Sequence, residues 1–180
     1  MSDKLKKATF AGGCFWCMEA PFKKLDGVKK VTSGYTGGKT KNPTYNKVCK
    51  KNTGHREAVQ IQYDPKIVDY NKLLNVYWRQ IDPTDESGQF ADRGDQYKTA
   101  IFYHSKRQKE LATESKKKIE SLDKFCKEIS TEILPFDEFY EAEERHQNFH
   151  EKNPKKYKKY RCKSGRDQFL KEKWSEVTPT

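Results

Sequence analysis

The chain has 180 residues, with 37 Lys and Arg against 26 Asp and Glu for a formal net charge of +11, a size that suits one domain (1–180) burying a sizeable core. No apolar run approaches the length of a membrane span, and the opening Met1-Ser2-Asp3-Lys4-Leu5-Lys6-Lys7 lacks the apolar segment of a secretory signal, so a cytosolic protein is expected. Five cysteines argue against a disulfide framework and for thiols that react or sit buried, while lysines scattered along surface-patterned segments read as solvated faces and leave nucleic-acid binding a minor alternative.

Ala8-Thr9-Phe10-Ala11 reads as a short buried strand that runs into Gly12-Gly13-Cys14-Phe15-Trp16-Cys17. The glycines give access to positive φ, so the chain can turn sharply and leave Cys14 at a strand-to-helix corner. A helix starting just after it would offer unpaired N–H groups and the positive end of its dipole. Both favour a thiolate and lower a free-thiol pKa of about 8.5. Cys14 is therefore the candidate reactive thiol, against the plainer reading of a small apolar core residue. Its Cys-x-x-Cys spacing to Cys17 suggests a thioredoxin-like pair or half a zinc site. Neither fits well, because Phe15 and Trp16 are bulky where such redox loops place small residues, and Cys49, Cys126 and Cys162 are isolated. The aromatic pair instead suits the wall of a dry pocket for a small apolar group. Pro21 cannot continue a helix already one turn long, so the helix is expected to start late, near Ala20, or to kink, with Cys17 in an irregular turn.

Val28 to Thr32 reads as a second strand. Thr36 to Gly54 lacks periodicity and is expected to be a long functional loop folding back through Tyr45, Val48 and Cys49, with Cys49 itself a buried structural thiol. Ala58 to Tyr63 alternates as a strand, with Glu57 at its mouth, where a carboxylate is ordinarily just solvated. Asp69 caps a helix whose Leu73, Leu74, Tyr77, Trp78 and Ile81 form a core stripe. Asp85 to Asp95 is a second glycine-containing loop leading to a strand from Tyr97 to Tyr103, so Tyr97 lies where a loop meets a strand. A helix follows from Ser105 to about Leu122, then Cys126 as a packing residue or bystander, and a strand from Ile129 to Leu134. His146 and His150 have an i, i+4 ligand spacing, but the accompanying glutamate signature is missing and no metal is expected. Beyond Pro154 the chain is rich in lysine and tyrosine, and Gly165 to Trp174 reads as a short amphipathic helix. Five strands with helices among them make one α+β domain, a mixed sheet covered by helices.

The Gly-Cys-Phe-Trp at 13–16 resembles the signature of peptide methionine sulfoxide reductase, type A. The resemblance continues through Gly34 to Gly38, Asn42 to Cys49, Thr53 to Val59, Asp82 to Thr84, Gly88 to Tyr97, Glu144 to Gln147 and Lys152 to Pro154, covering most of residues 8–156. It implies a ferredoxin-like arrangement with a catalytic core of about 8–156 and a basic tail at 157–180. It also implies reduction of methionine S-sulfoxide, free or in proteins, with Cys14 attacking sulfur and Glu57 protonating oxygen. Tyr45 and Tyr97 would hydrogen-bond that oxygen, Asp92 would support the polar side, and Phe15 and Trp16 would hold the methyl group. A sulfoxide oxygen leaves poorly unless protonated, so nucleophile and acid must converge on adjacent atoms. The sulfenic acid left on Cys14 then condenses with a second thiol, and thioredoxin reduces the disulfide. Cys17 is the expected recycling thiol because almost no loop-closure entropy opposes it, with Cys162 as the alternative. A monomer without metal, organic cofactor, nucleic-acid or membrane partner is expected. A general Cys-x-x-Cys disulfide oxidoreductase, indifferent to Glu57, and a basic binding module are the competing readings.

Overall fold

The computed structural model describes residues 4–174, so residues 1–3 of the opening segment and 175–180 of the basic tail lie outside the described residues. In chain order the elements are β1 (Lys6–Ala11), α1 (Phe15–Lys23), β2 (Val28–Thr36), α2 (Tyr45–Cys49), β3 (Arg56–Tyr63) and α3 (Tyr70–Trp78). They continue with β4 (Gly88–Gln89), β5 (Asp92–Arg93), β6 (Ala100–Tyr103), α4 (Lys106–Ser121), β7 (Glu132–Pro135), β8 (Phe139–Glu141), α5 (Phe149–Lys152), α6 (Pro154–Ser164) and α7 (Arg166–Trp174).

Six strands form one sheet in the order β7-β6-β1-β3-β2-β8. The central β6-β1-β3-β2 is antiparallel throughout, with α1 linking β1 to β2 and α3 lying between β3 and β6, which is the ferredoxin-like βαββαβ arrangement. β8 extends it antiparallel on β2, and β7 runs parallel to β6, so the sheet is mixed. Beyond the sheet, β4 and β5 form a small hairpin of their own.

The period-2 alternation of the strands sorts residues between two apolar layers. Ala8 and Phe10 of β1 and Val59, Ile61 and Tyr63 of β3 enter the main core, whereas Ala11, Ala58, Ala100 and Phe102 form a smaller cluster with Leu134, Phe136 and Phe139. Phe10 is the hub of the main core, its ring 4.9 Å from Tyr77, 5.5 Å from Phe22 and 6.0 Å from Tyr70. Burying such a ring contributes roughly 2–3 kcal/mol. The same parity rule matters for function. Glu57 shares the side of Val59 and Ile61, and Tyr35 that of Val31, so both face the start of α1.

Several expectations are corrected. α1 does not start near Ala20 but directly after Cys14, with Pro21 inside it. The N–H that proline lacks would have bonded the Cys17 carbonyl, and that oxygen instead accepts from Arg161 Nη1 at 3.2 Å. Cys17 thus sits in the first turn of a helix rather than in an irregular turn. The loop at 36–54 contains α2, capped by Thr44, whose hydroxyl accepts from Lys47 N at 3.3 Å. Tyr97 closes a 3₁₀ turn (Asp95–Tyr97) and the strand begins only at Ala100. Cys49 is half-buried rather than buried, and Cys126 is exposed. His146 ends a 3₁₀ turn and His150 lies in α5, separated by Asn148 at φ +55, so the two rings do not share a helix face. Among the described residues no helix is long and apolar enough to cross a membrane.

Candidate active site

The site is built where β1 turns into α1. Gly13 adopts φ +89, and a β-carbon there would lie 2.7 Å from Gln89 Cβ and 2.8 Å from Arg166 Nη2, so a side chain is excluded by both conformation and space. Gln89 is held in turn by paired hydrogen bonds with the backbone of Asp82, at 2.8 and 2.7 Å. Cys14 follows as the N-cap of α1, 6% exposed, with its carbonyl accepting from Cys17 N at 3.1 Å.

Glu57 comes to this corner from the start of β3. Its Oε1 accepts from Phe15 N, one of the unpaired first-turn amides, at 3.2 Å, and the residue is 1% exposed. Burial pushes its carboxyl up to about 8; the charges of Asp92 and Cys17 add to this, while the hydrogen bonds from Phe15 N and the Tyr97 hydroxyl oppose it. A carboxyl in that state keeps its proton at neutral pH. Tyr45 and Tyr97 also hold their hydroxyl protons, first through burial, with Glu57 and Cys14 among the nearby charges that push them up. Burial likewise raises Asp92, against the pull of the Tyr160 hydroxyl that donates to its Oδ2 and of Arg166. Cys14, Glu57, Tyr45, Tyr97 and Asp92 therefore form one cluster of mutually sensitive groups, as the sequence motifs implied.

The thiol pair departs from expectation. Cys14 has the helix start that should favour a thiolate, yet burial pushes its pKa well up, helped by its hydrogen bond to Cys17 and by the charges of Cys17, Glu57 and Asp92. Cys17 is held down to about 6, chiefly by the hydrogen bond from Cys14, with Arg166 and Arg161 lowering it further against burial and Asp92. The two thiols thus titrate unequally, with Cys17 the more acidic of the pair. Desolvation outweighs the helix terminus at Cys14 because the cap is almost closed to water.

Aromatic groups surround this corner. Phe15 lies against Tyr35 and His146, with ring centroids 5.8 and 5.1 Å away. Trp16 stacks on Phe149 at 3.8 Å, meets Tyr160 edge-on at 5.6 Å, and donates from Nε1 to His146 Nδ1 at 3.1 Å. That bond places the His146 proton on Nε2, and burial lowers its pKa, so the ring is a neutral member of the wall. Glu143 ties two further pieces together, its Oε1 accepting from the Tyr35 hydroxyl at 2.9 Å and its Oε2 from Tyr45 N at 3.0 Å.

Of the site residues expected from the sequence, Cys14, Phe15, Trp16, Cys17, Tyr45, Glu57, Asp92 and Tyr97 gather at this corner, whereas Cys162 is exposed on α6. Sequence reasoning missed Tyr35, Glu143, Tyr160, Arg161 and Arg166, and read His146 as structural or bordering the pocket. The first two lie in or beside the matched segments, whereas the three on α6 and α7 fall in a stretch read as basic tail.

An antiparallel ferredoxin-like core presenting a buried cysteine pair opposite a protonated carboxyl defines a thiol-based oxidoreductase. The sequence profile of the family described as peptide methionine sulfoxide reductase matches residues 6–178. Peptide methionine sulfoxide reductase MsrA of Bacillus licheniformis is 57% identical over 174 residues, covering 97% of this chain and 96% of that protein. Among solved structures, reduced Mxr1 from Saccharomyces cerevisiae superposes with a TM-score of 0.79 at 32% identity, covering 84% of this chain and 87% of that one. Mxr1 in complex with Trx2 gives a TM-score of 0.58 at 26% identity, covering 79% and 84%. The chain belongs to the peptide methionine sulfoxide reductase family, and it is an oxidoreductase that reduces methionine sulfoxide.

Proposed function

We propose that the chain, as one domain, reduces the S epimer of methionine sulfoxide, free or in proteins, with Cys14 as nucleophile and Glu57 as acid. The observation that carries this reading is a carboxyl buried to 1% exposure and bonded to Phe15 N, the amide beside the Cys14 cap, where burial raises its pKa. The Cys14 sulfur bonds to the sulfoxide sulfur and passes its proton to Cys17, Glu57 protonates the oxygen, and the hydroxyl then transfers from the methionine sulfur to the Cys14 sulfur as the bond between the two sulfurs breaks, leaving a sulfenic acid on Cys14 and free methionine. Tyr45 and Tyr97 donate to the oxygen as it gains charge, Asp92 supports the polar side, and Phe15 and Trp16 hold the methyl group.

Cys17 then attacks the sulfenic sulfur, its proton leaves with the hydroxyl as water, and a Cys14–Cys17 disulfide remains. This favours Cys17 over Cys162, which is exposed on α6, whereas Cys17 lies in the first turn after Cys14, its N donating to the Cys14 carbonyl at 3.1 Å. A thioredoxin reduces the disulfide, a role supported by the solved complex of the related Mxr1 with Trx2. The general disulfide oxidoreductase is not favoured, since it gives Glu57 nothing to do. We place the reaction in the cytosol, with a monomer as the working unit. Thioredoxin-coupled turnover on the separated epimers tests the reading: turnover on the S epimer alone is expected, and equal rates on both, or none on either, would refute it.

A further inference from the structure

Two cations stand at the ends of a run of aromatic rings beside the catalytic corner. The rings step from Tyr45 to His146 with centroids 4.7 Å apart, from His146 to Trp16 at 5.9 Å, and from Trp16 to Phe149 at 3.8 Å. The Arg145 guanidinium lies 5.2 Å from the centre of the Tyr45 ring, and Lys156 Nζ lies 5.9 Å from that of Phe149. Both residues are exposed, and among the described residues neither forms an ion pair. A ring face attracts a cation without neutralising it. The acids near them in sequence are engaged elsewhere. Glu143 accepts from the Tyr35 hydroxyl and Tyr45 N, Glu144 pairs with Lys152 at 3.2 Å, and Glu151 pairs with Lys23 at 3.3 Å. Lys159 is exposed three residues beyond Lys156 on α6, next to Tyr160, whose ring meets Trp16 edge-on at 5.6 Å.

We propose that Arg145 and Lys156, the latter seconded by Lys159, select methionine sulfoxide that stands between acidic residues of a polypeptide. Trp16 and Tyr45 are the two rings of the run that the proposed reaction sets against the sulfoxide. A polypeptide whose oxidised methionine enters there lies along the run, and its neighbouring residues come to the cations. The proposal rests on that reading of the site and names the class of substrate it takes. The three ring steps make a run no longer than about 14 Å, and extended chain rises about 3.3 Å per residue, so the match is to Asp or Glu about two residues before and after the methionine. Both cations act on these flanks and neither touches the reacting atoms.

Exposed ion pairs are weak one by one and are screened by salt, so the preference is a modest factor. It belongs in kcat/KM rather than kcat, because pairs formed on encounter persist equally in the ground and transition states. Lysine flanks meet the reverse, with repulsion from the same cations. Free methionine sulfoxide is too short to reach either one.

The test compares blocked pentapeptides carrying the S-sulfoxide at the centre and Asp, Asn or Lys at both ends, alongside free methionine sulfoxide. Dithiothreitol serves as reductant, so docking of thioredoxin plays no part. At about 0.02 M salt kcat/KM is expected to be about tenfold higher for the Asp peptide than for the Lys peptide, with Asn between, and the ratio to shrink to about twofold at about 0.5 M. Arg145→Glu combined with Lys156→Glu should invert the order and leave free methionine sulfoxide within about twofold of the parent, while Arg145→Lys keeps the order. Lys117→Glu combined with Lys118→Glu changes the net charge equally but on α4, away from the rings, and should also keep the order. Equal kcat/KM for the Asp and Lys peptides in the parent would overturn the proposal. So would an order that the reversals at Arg145 and Lys156 leave intact, or one that the α4 reversals abolish equally, since the whole protein's field would then be its source. No turnover on the Asn peptide or on free sulfoxide would instead remove the reading of the site on which the proposal rests.

Discussion

Glu57 is a group on which mechanism and stability pull in opposite directions, and Glu57→Gln separates them. In the folded protein burial raises its carboxyl to about 8, whereas an unfolded glutamate titrates near about 4.3. The folded state therefore binds this proton more tightly, so stability falls as pH rises from about 4.3 through about 8 and is flat above that range. At about 1.4 kcal/mol per unit of pKa difference, the loss approaches about 5 kcal/mol by pH 9, a sizeable part of the roughly 5–15 kcal/mol that holds a domain together. Glutamine keeps an oxygen for Phe15 N and carries no titrating proton. Any penalty for burying its amide, about 1–3 kcal/mol if left without a partner, is independent of pH. Urea unfolding of both proteins under reducing conditions at several values between pH 5 and pH 9 provides the assay. The variant should gain stability over wild type by about 1.4 kcal/mol per pH unit up to about pH 8, while its single-turnover sulfoxide reduction falls by a factor of about 100 or more. A stability difference that stays constant over this range would show that Glu57 is already ionised, and the acid role would fall with it.

The remaining predictions concern the thiol pair and its corner. The first methionine release should depend on pH as a bell, with an acid limb near 6 where Cys17 gains a proton and a basic limb near 8 where Glu57 loses one; a rate that keeps rising above pH 9 would contradict this. Gly13→Ala forces a side chain to φ +89 and against Gln89 and Arg166, and should cost about 2–4 kcal/mol in chemical denaturation together with most of the activity. A neutral result would mean that neither the positive φ nor the crowding at Gly13 excludes a side chain there.

How far the sequence reveals the site depends on where each residue's signal is stored. Glu57 was legible only through the family resemblance, since a carboxylate at a strand mouth reads locally as solvated, whereas the cysteine corner was legible because two glycines before a cysteine mark a turn. The protonation of Cys14 was not legible. A helix start can be read locally, but burial of its cap comes from β3, β5 and α6 together. Pro21 misled for a related reason, since the partner of the freed Cys17 carbonyl is Arg161, far along the chain. The segment at 154–164 shows lysines and tyrosines with no apolar stripe, so α6 stayed hidden; its tyrosines and Arg161 are used on the pocket and its lysines on solvent. α2 and β8 were missed because each is too short for periodicity to register, though Thr44 carried a capping signal.

The central claim is that Cys14 takes the oxygen and Cys17 resolves it. The direct measurement mixes fully reduced protein with a single equivalent of methionine S-sulfoxide, blocks remaining thiols, and maps disulfide-linked peptides while methionine is quantified. Wild type should yield methionine and a Cys14–Cys17 bridge in equal amounts, Cys17→Ser should yield methionine with a trappable sulfenic acid on Cys14, and Cys14→Ser should yield neither. A Cys14 to Cys162 bridge in the wild type, or methionine from Cys14→Ser, would contradict the account.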